Sequence, residues 1–91
     1  MPETFAEFES RTRAQGYNEV LERRWEPGLV LETHTHPFDA KAVVVQGDLW
    51  VTVGKFTAHV VPGGGFEIER NTPHAERYGS EGATFWVARR H

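Results

Sequence analysis

Ninety-one residues are enough for one hydrophobic core and not for two, and 38% hydrophobic residues, with six Phe, three Trp and two Tyr, mark a folding chain rather than a disordered one. A formal net charge of -3, with the basic residues scattered as Arg11/Arg13, Arg23/Arg24 and Arg89/Arg90, leaves no footprint for nucleic acid. No apolar run nears the roughly 20 residues of a membrane span, the start Met1-Pro2-Glu3-Thr4 lacks the regions of a signal peptide, and the absence of cysteine suits a reducing compartment, so a cytoplasmic protein is expected.

The chain reads as a single domain over 1–91, with a helical segment at 1–17 and a β-barrel over 18–91. Thr4 followed by Glu7 is a capping box, Phe5 and Phe8 share the face of the helix it opens, and Gly16 ends that helix. The two phenylalanines are expected to seal one end of the barrel or a partner's sheet. From Asn18 the apolar period changes to two, which predicts eight short strands near 18–25, 28–36, 40–46, 48–53, 56–61, 65–69, 74–79 and 83–89. Gln46-Gly47-Asp48 is expected to join two of them as a tight hairpin, Gly54-Lys55 the next two, and Pro62-Gly63-Gly64-Gly65 to reverse the chain again. With so small a core and no disulfide, a bound metal, a dimer interface or both would add stability.

The chemistry concentrates on histidine. In an extended segment, His34-Thr35-His36 projects two imidazoles from one face, close enough to share an ion. Such ligands suit a borderline divalent ion, whereas Mg²⁺ or Ca²⁺ wants oxygen. An isolated His-x-His pair is more often a surface or structural feature, so its surroundings carry the weight. Alternation places Val30 and Glu32 on the His34/His36 face, and Glu76 and Tyr78 on the face of His74. Glu32 or Glu76 would then accept from imidazole N–H groups or act as a general base near bound water, or else stand exposed at the barrel mouth. Trp50, Phe66, Phe85 and Trp86 are expected in core and interface, and Lys41 facing outward.

Residues 28–47 read Gly28-x5-His34-x-His36-x10-Gly47, and Gly63 is followed by His74 eleven positions later, with fifteen residues, 48–62, between the two stretches. The first resembles motif 1 of the cupin superfamily, Gly-x5-His-x-His-x3,4-Glu-x6-Gly, and the second resembles motif 2, Gly-x5-Pro-x-Gly-x2-His-x3-Asn. The resemblance covers about the last three quarters of the chain and holds at both glycines and all three histidines. It implies an all-β double-stranded β-helix, the jelly-roll barrel, behind a short N-terminal helix. Within it, His34, His36 and His74 would hold one divalent transition metal (Zn, Fe, Ni, Mn or Cu). Motif 1 departs at its carboxylate, where this chain has Ala40 or Lys41; the nearest acid, Asp39, is either a fourth ligand re-aimed by a bulge or a turn residue. Motif 2 departs at Glu69, Asn71 and Tyr78, although Asn71 suits the left-handed backbone that a glycine would supply.

What the resemblance implies about activity is a class. A metalloenzyme of dioxygenase, isomerase or lyase type acting on a small polar molecule is the first reading, with no catalytic residue assigned. A non-catalytic small-molecule sensor is the second; lacking a helix-turn-helix segment, it would need a partner protein for output. A barrel with a purely structural metal is the third. Small cupins commonly pair through sheet edges or through the front strand and helix, which together with the small core makes a homodimer the expected assembly.

Overall fold

The computed structural model describes residues 2–91. Helix α1 spans Phe5–Ala14, and its capping box is complete: the Glu7 N–H donates to Thr4 Oγ1 at 3.2 Å and the Thr4 N–H donates to Glu7 Oε1 at 2.9 Å. Gly16, in the left-handed region, stands just past its end. The helix does not plug the barrel. It lies across the outside, with Phe5 edge-on to Trp86 at 5.6 Å and Phe8 tilted against the same ring at 6.0 Å. Among the described residues, no helix is long and apolar enough to cross a membrane.

Six strands follow among the described residues: β1 (Glu19–Trp25), β2 (Val30–His34), β3 (Asp39–Val53), β4 (Phe56–Val60), β5 (Gly65–Ile68) and β6 (His74–Arg90). All pairings are antiparallel, and the long β3 and β6 run beside each other. The start of β6 lies between β2 and the end of β3, with β4 beyond; the end of β6 lies between β1 and the start of β3, with β5 beyond. The two halves thus share both long strands and face each other across one core that includes Ala42, Val44, Leu49, Val51, Ile68, Tyr78, Phe85 and Val87.

Six strands rather than eight is a correction with a clear cause. The expected hairpin at Gln46-Gly47-Asp48 is not a reversal; the chain carries on through it as a bulged corner, where the β3–β6 register slips between Val44 and Gln46 and again between Gly47 and Leu49. Strand β6 bends in step, merging the expected strands at 74–79 and 83–89. Gly47 has φ 73° and packs so closely on Gly82 that an added methyl would strike the Gly82 carbonyl. A glycine-centred turn and a glycine-centred bulge look alike in sequence, and only the strand alongside separates them. The other two reversals occur where expected: Val53 faces Phe56 across Gly54-Lys55, and 61–64 turn β4 into β5.

Candidate metal centre

The centre is built where β2 meets the start of β6. Those strands pair Val30 with Arg77 and Leu31 with Glu76, but then His34 with His74, so the register slips by one residue between Leu31 and His34. The slip inverts the inside-outside phase. Leu31 shares the interior with His34, whereas Val30 is 59% exposed and the Glu32 side chain lies in solvent. Of the two places expected for Glu32, the structure gives the exposed one and not the barrel lining. Its main chain still contributes, since His34 Nδ1–H donates to the Glu32 carbonyl at 2.7 Å.

His74 is buried and fixed in the same manner, with Nδ1–H donating to the Thr72 carbonyl at 2.8 Å. A carbonyl only accepts, so each of these rings carries a hydrogen on Nδ1, which in the neutral ring leaves Nε2 with a free lone pair. His36 follows the end of β2 and is held by the Phe38 ring, stacked at 4.4 Å with an interplanar angle of 2°. Asn71, in the left-handed region at φ 62° as its residue type suggests, donates its N–H to the His36 carbonyl at 2.8 Å, tying the turn before His74 to the second histidine.

These supports bring the three rings together. Their centroids lie 4.3 Å apart for His34 and His74, 4.6 Å for His36 and His74, and 5.7 Å for His34 and His36. One nitrogen from each lies within 4.8 Å of the others. The Glu76 carboxylate shares the space, with Oε2 at 3.4 Å from His34 Nε2 and 3.7 Å from His74 Nε2. Lone pairs and a carboxylate converging in this way repel unless a cation or a proton stands among them. His36 Nδ1 is buried with no hydrogen-bond partner among the described residues. Burial first, then the His74 and His34 rings, holds the His36 imidazole below its ordinary value, favouring the neutral form that ligates. On donor chemistry the cluster fits a divalent transition ion.

Behind Glu76 stands Tyr78, whose hydroxyl donates to Glu76 Oε1 at 2.6 Å. Burial, followed by that hydrogen bond, pushes the phenol well above its ordinary value, so it remains a donor. Trp25 stacks on Tyr78 at 5.7 Å. In front of the histidines lies a cavity of about 190 Å³, walled by Phe38, Phe66, Phe85, Trp25 and Leu31. Phe66 and Phe85, expected in core and interface, are core and cavity wall together. Trp86 is covered by α1, and Trp50 lies on the outer face, stacked on His59 at 4.2 Å. Two cavity residues had escaped notice, Arg23 and Arg89. Each is a charge in the apolar phase of its strand, after Leu21 in β1 and after Phe85 and Val87 in β6, which is a legible signal. Lys41 faces outward as expected, donating to Gln15 Oε1 at 3.1 Å.

Asp39 is not in the cluster. Its carboxylate accepts the Arg70 N–H at 2.9 Å and meets the guanidinium groups of Arg70 and Arg90 at 3.3 and 3.2 Å. The Arg70 main-chain N–H first, and then the Arg70 and Arg90 side chains, hold the acid down to about 2, from 3.8. A carboxylate with a lowered value stabilises the fold when ionised, so its contribution is complete above about pH 4 and fades as pH falls through about 2. Asp39→Asn is therefore expected to melt below the native chain at pH 7, with the gap closing between pH 4 and pH 2; a gap that is absent at pH 7, or constant with pH, would disprove this role.

No family model and no curated protein matches the chain. Solved structures do. The chain is similar to a DMSP lyase, with TM-score 0.72 and 25% identity over 79% of this chain and 37% of that one. It is similar to Bacillus subtilis oxalate decarboxylase, a protein with Mn(II) centres, with TM-score 0.72 and 26% identity over 88% of this chain and 23% of that one. A conserved Klebsiella pneumoniae protein with a double-stranded β-helix domain aligns with TM-score 0.66 and 19% identity over 78% of this chain and 64% of that one, a likeness of fold alone. The chain thus spans little more than a third of the DMSP lyase and under a quarter of the decarboxylase. With its bulged long strands, antiparallel pairing and these neighbours, the chain has the cupin-type double-stranded β-helix fold.

Proposed function

We propose that this cupin is a metalloenzyme of lyase, isomerase or dioxygenase type, acting on a small polar molecule with one divalent transition ion (Zn, Fe, Ni, Mn or Cu) held by His34, His36 and His74. The observation that carries the reading is the convergence of three imidazole nitrogens within 4.8 Å at the wall of a cavity. Two enzymes among the similar structures, a DMSP lyase and an oxalate decarboxylase, favour the lyase type. Open space beside the histidines argues against a purely structural ion, which takes a closed four-ligand shell.

Bound there, such an ion supplies Lewis-acid polarisation of a substrate oxygen or an activated water. The protein's part is proton handling and exclusion of solvent. Tyr78 occupies Glu76 Oε1, which leaves Oε2, on the side of the histidines, as the oxygen that takes a proton from a bound molecule and returns it. Phe38, Phe66 and Phe85 keep water from that exchange. The test is to load the protein with Fe²⁺, Ni²⁺, Mn²⁺ or Zn²⁺ and screen diketones, thiols and sugar acids. Glu76→Gln is expected to retain its metal and lose about 10²–10⁴ of the turnover, the range for a general acid or base. Full activity in Glu76→Gln would remove its proton role. Saturable binding without turnover under every metal would turn the reading to a sensor.

A further inference from the structure

We propose that the cavity takes a small carboxylate, whose anionic end is held by the Arg23 guanidinium with Arg89 beside it. Both arginines occupy the interior phase of their strands and line the cavity that contains His34, His36 and His74. A guanidinium pointing inward is costly unless an anion meets it. Among the described residues, no carboxylate forms an ion pair with Arg23. Arg89 meets Glu19 through Nη1 at 3.3 Å, yet its Nε is buried and has no hydrogen-bond partner among the described residues.

The aromatic wall sets both groups in place. The Arg23 guanidinium lies 4.6 Å over the Trp25 ring and that of Arg89 lies 4.8 Å over Phe38. Stacking uses the face of a guanidinium and leaves the N–H groups at its edge to fork onto a planar acid. Among the described residues Glu76 is the one carboxylate lining the cavity, and it faces Tyr78 and the histidines and pairs with neither arginine. A cation at the histidines would add positive charge beside an incoming anion. At about 190 Å³ the cavity falls below the ~300–1,000 Å³ of drug-sized pockets, which limits the ligand to a few carbons.

The placement of the ligand's other end toward the histidines rests on the metal reading above; the anion site itself does not. Calorimetric titration of propionate against propionamide, its neutral counterpart, on zinc-loaded and metal-stripped protein separates the two. Propionate is expected to bind both forms and propionamide to bind at least about tenfold more weakly, as loss of a charge-assisted pair implies. Arg23→Gln is expected to lose about tenfold in propionate affinity while retaining its zinc, and Arg23→Lys, which retains the charge without the fork, to lose less. Equal binding of acid and amide, no propionate binding, or native affinity in a folded Arg23→Gln would overturn the proposal. Failure to take up zinc, with Arg23-dependent propionate binding intact, would instead sink the metal reading alone.

Discussion

His74→Ala is expected to abolish stoichiometric metal binding and, with it, the stabilisation that metal confers. The native chain with metal at a hundredfold excess over its dissociation constant gains about 2.7 kcal/mol by mass action, which for a domain of this size raises the melting temperature by roughly 10–20 °C. His74 is the buried member of the trio, the one reaching the cluster from β6, and its ring is held by the Thr72 carbonyl. Its loss leaves a pair that comes from β2 and the turn after it. Losing an outer partner of a metal ligand already costs about 10–100-fold in affinity; losing the ligand itself should cost more. Thermal melts with and without Zn²⁺, and metal content by elemental analysis, check both halves. A variant that still binds one ion and still gains the full increment would show that His34 and His36 suffice.

Gly47→Ala is expected to cost about 2–4 kcal/mol, part of it the ~1–2 kcal/mol of a left-handed backbone in a residue with Cβ and the rest the collision with the Gly82 carbonyl. At the usual sensitivity of small domains the melting temperature should fall by at least ~10 °C. Here the corner through which β3 turns from one half of the fold to the other meets the corner of β6, and the same bend aims Leu49 and Val51 into the core. A shift of only a degree or two would mean that the corner yields and that the close contact is not needed.

Legibility follows the range of the forces involved. The capping box, the Gly54-Lys55 hairpin and the left-handed Asn71 are decided within a few residues, and each is where the chain's residue types put it. The three histidines were legible because alternation and motif spacing agreed on them. Glu76 and Tyr78 follow from His74 because β6 is regular there. Misreadings arose where a distant strand decides. The bulge between Leu31 and His34 exists only because β2 must pair with β6 on a slipped register, and nothing in Leu31-Glu32-Thr33-His34 announces it. Asp39 is claimed by Arg70 and Arg90, which lie 31 and 51 residues away in sequence. Arg23 and Arg89 were readable from strand phase, but a lone charge among apolar alternates is easily taken for an interruption rather than a cavity wall.

The central claim is that three side chains from two distant stretches share one ion. An anomalous difference map at the metal absorption edge, from a crystal of the native chain grown with stoichiometric Zn²⁺, tests it most directly. One peak at ~2.0–2.1 Å from a nitrogen of each of His34, His36 and His74 is the expected result. A peak bound elsewhere, or one that touches His34 and His36 and leaves His74 out, would contradict it.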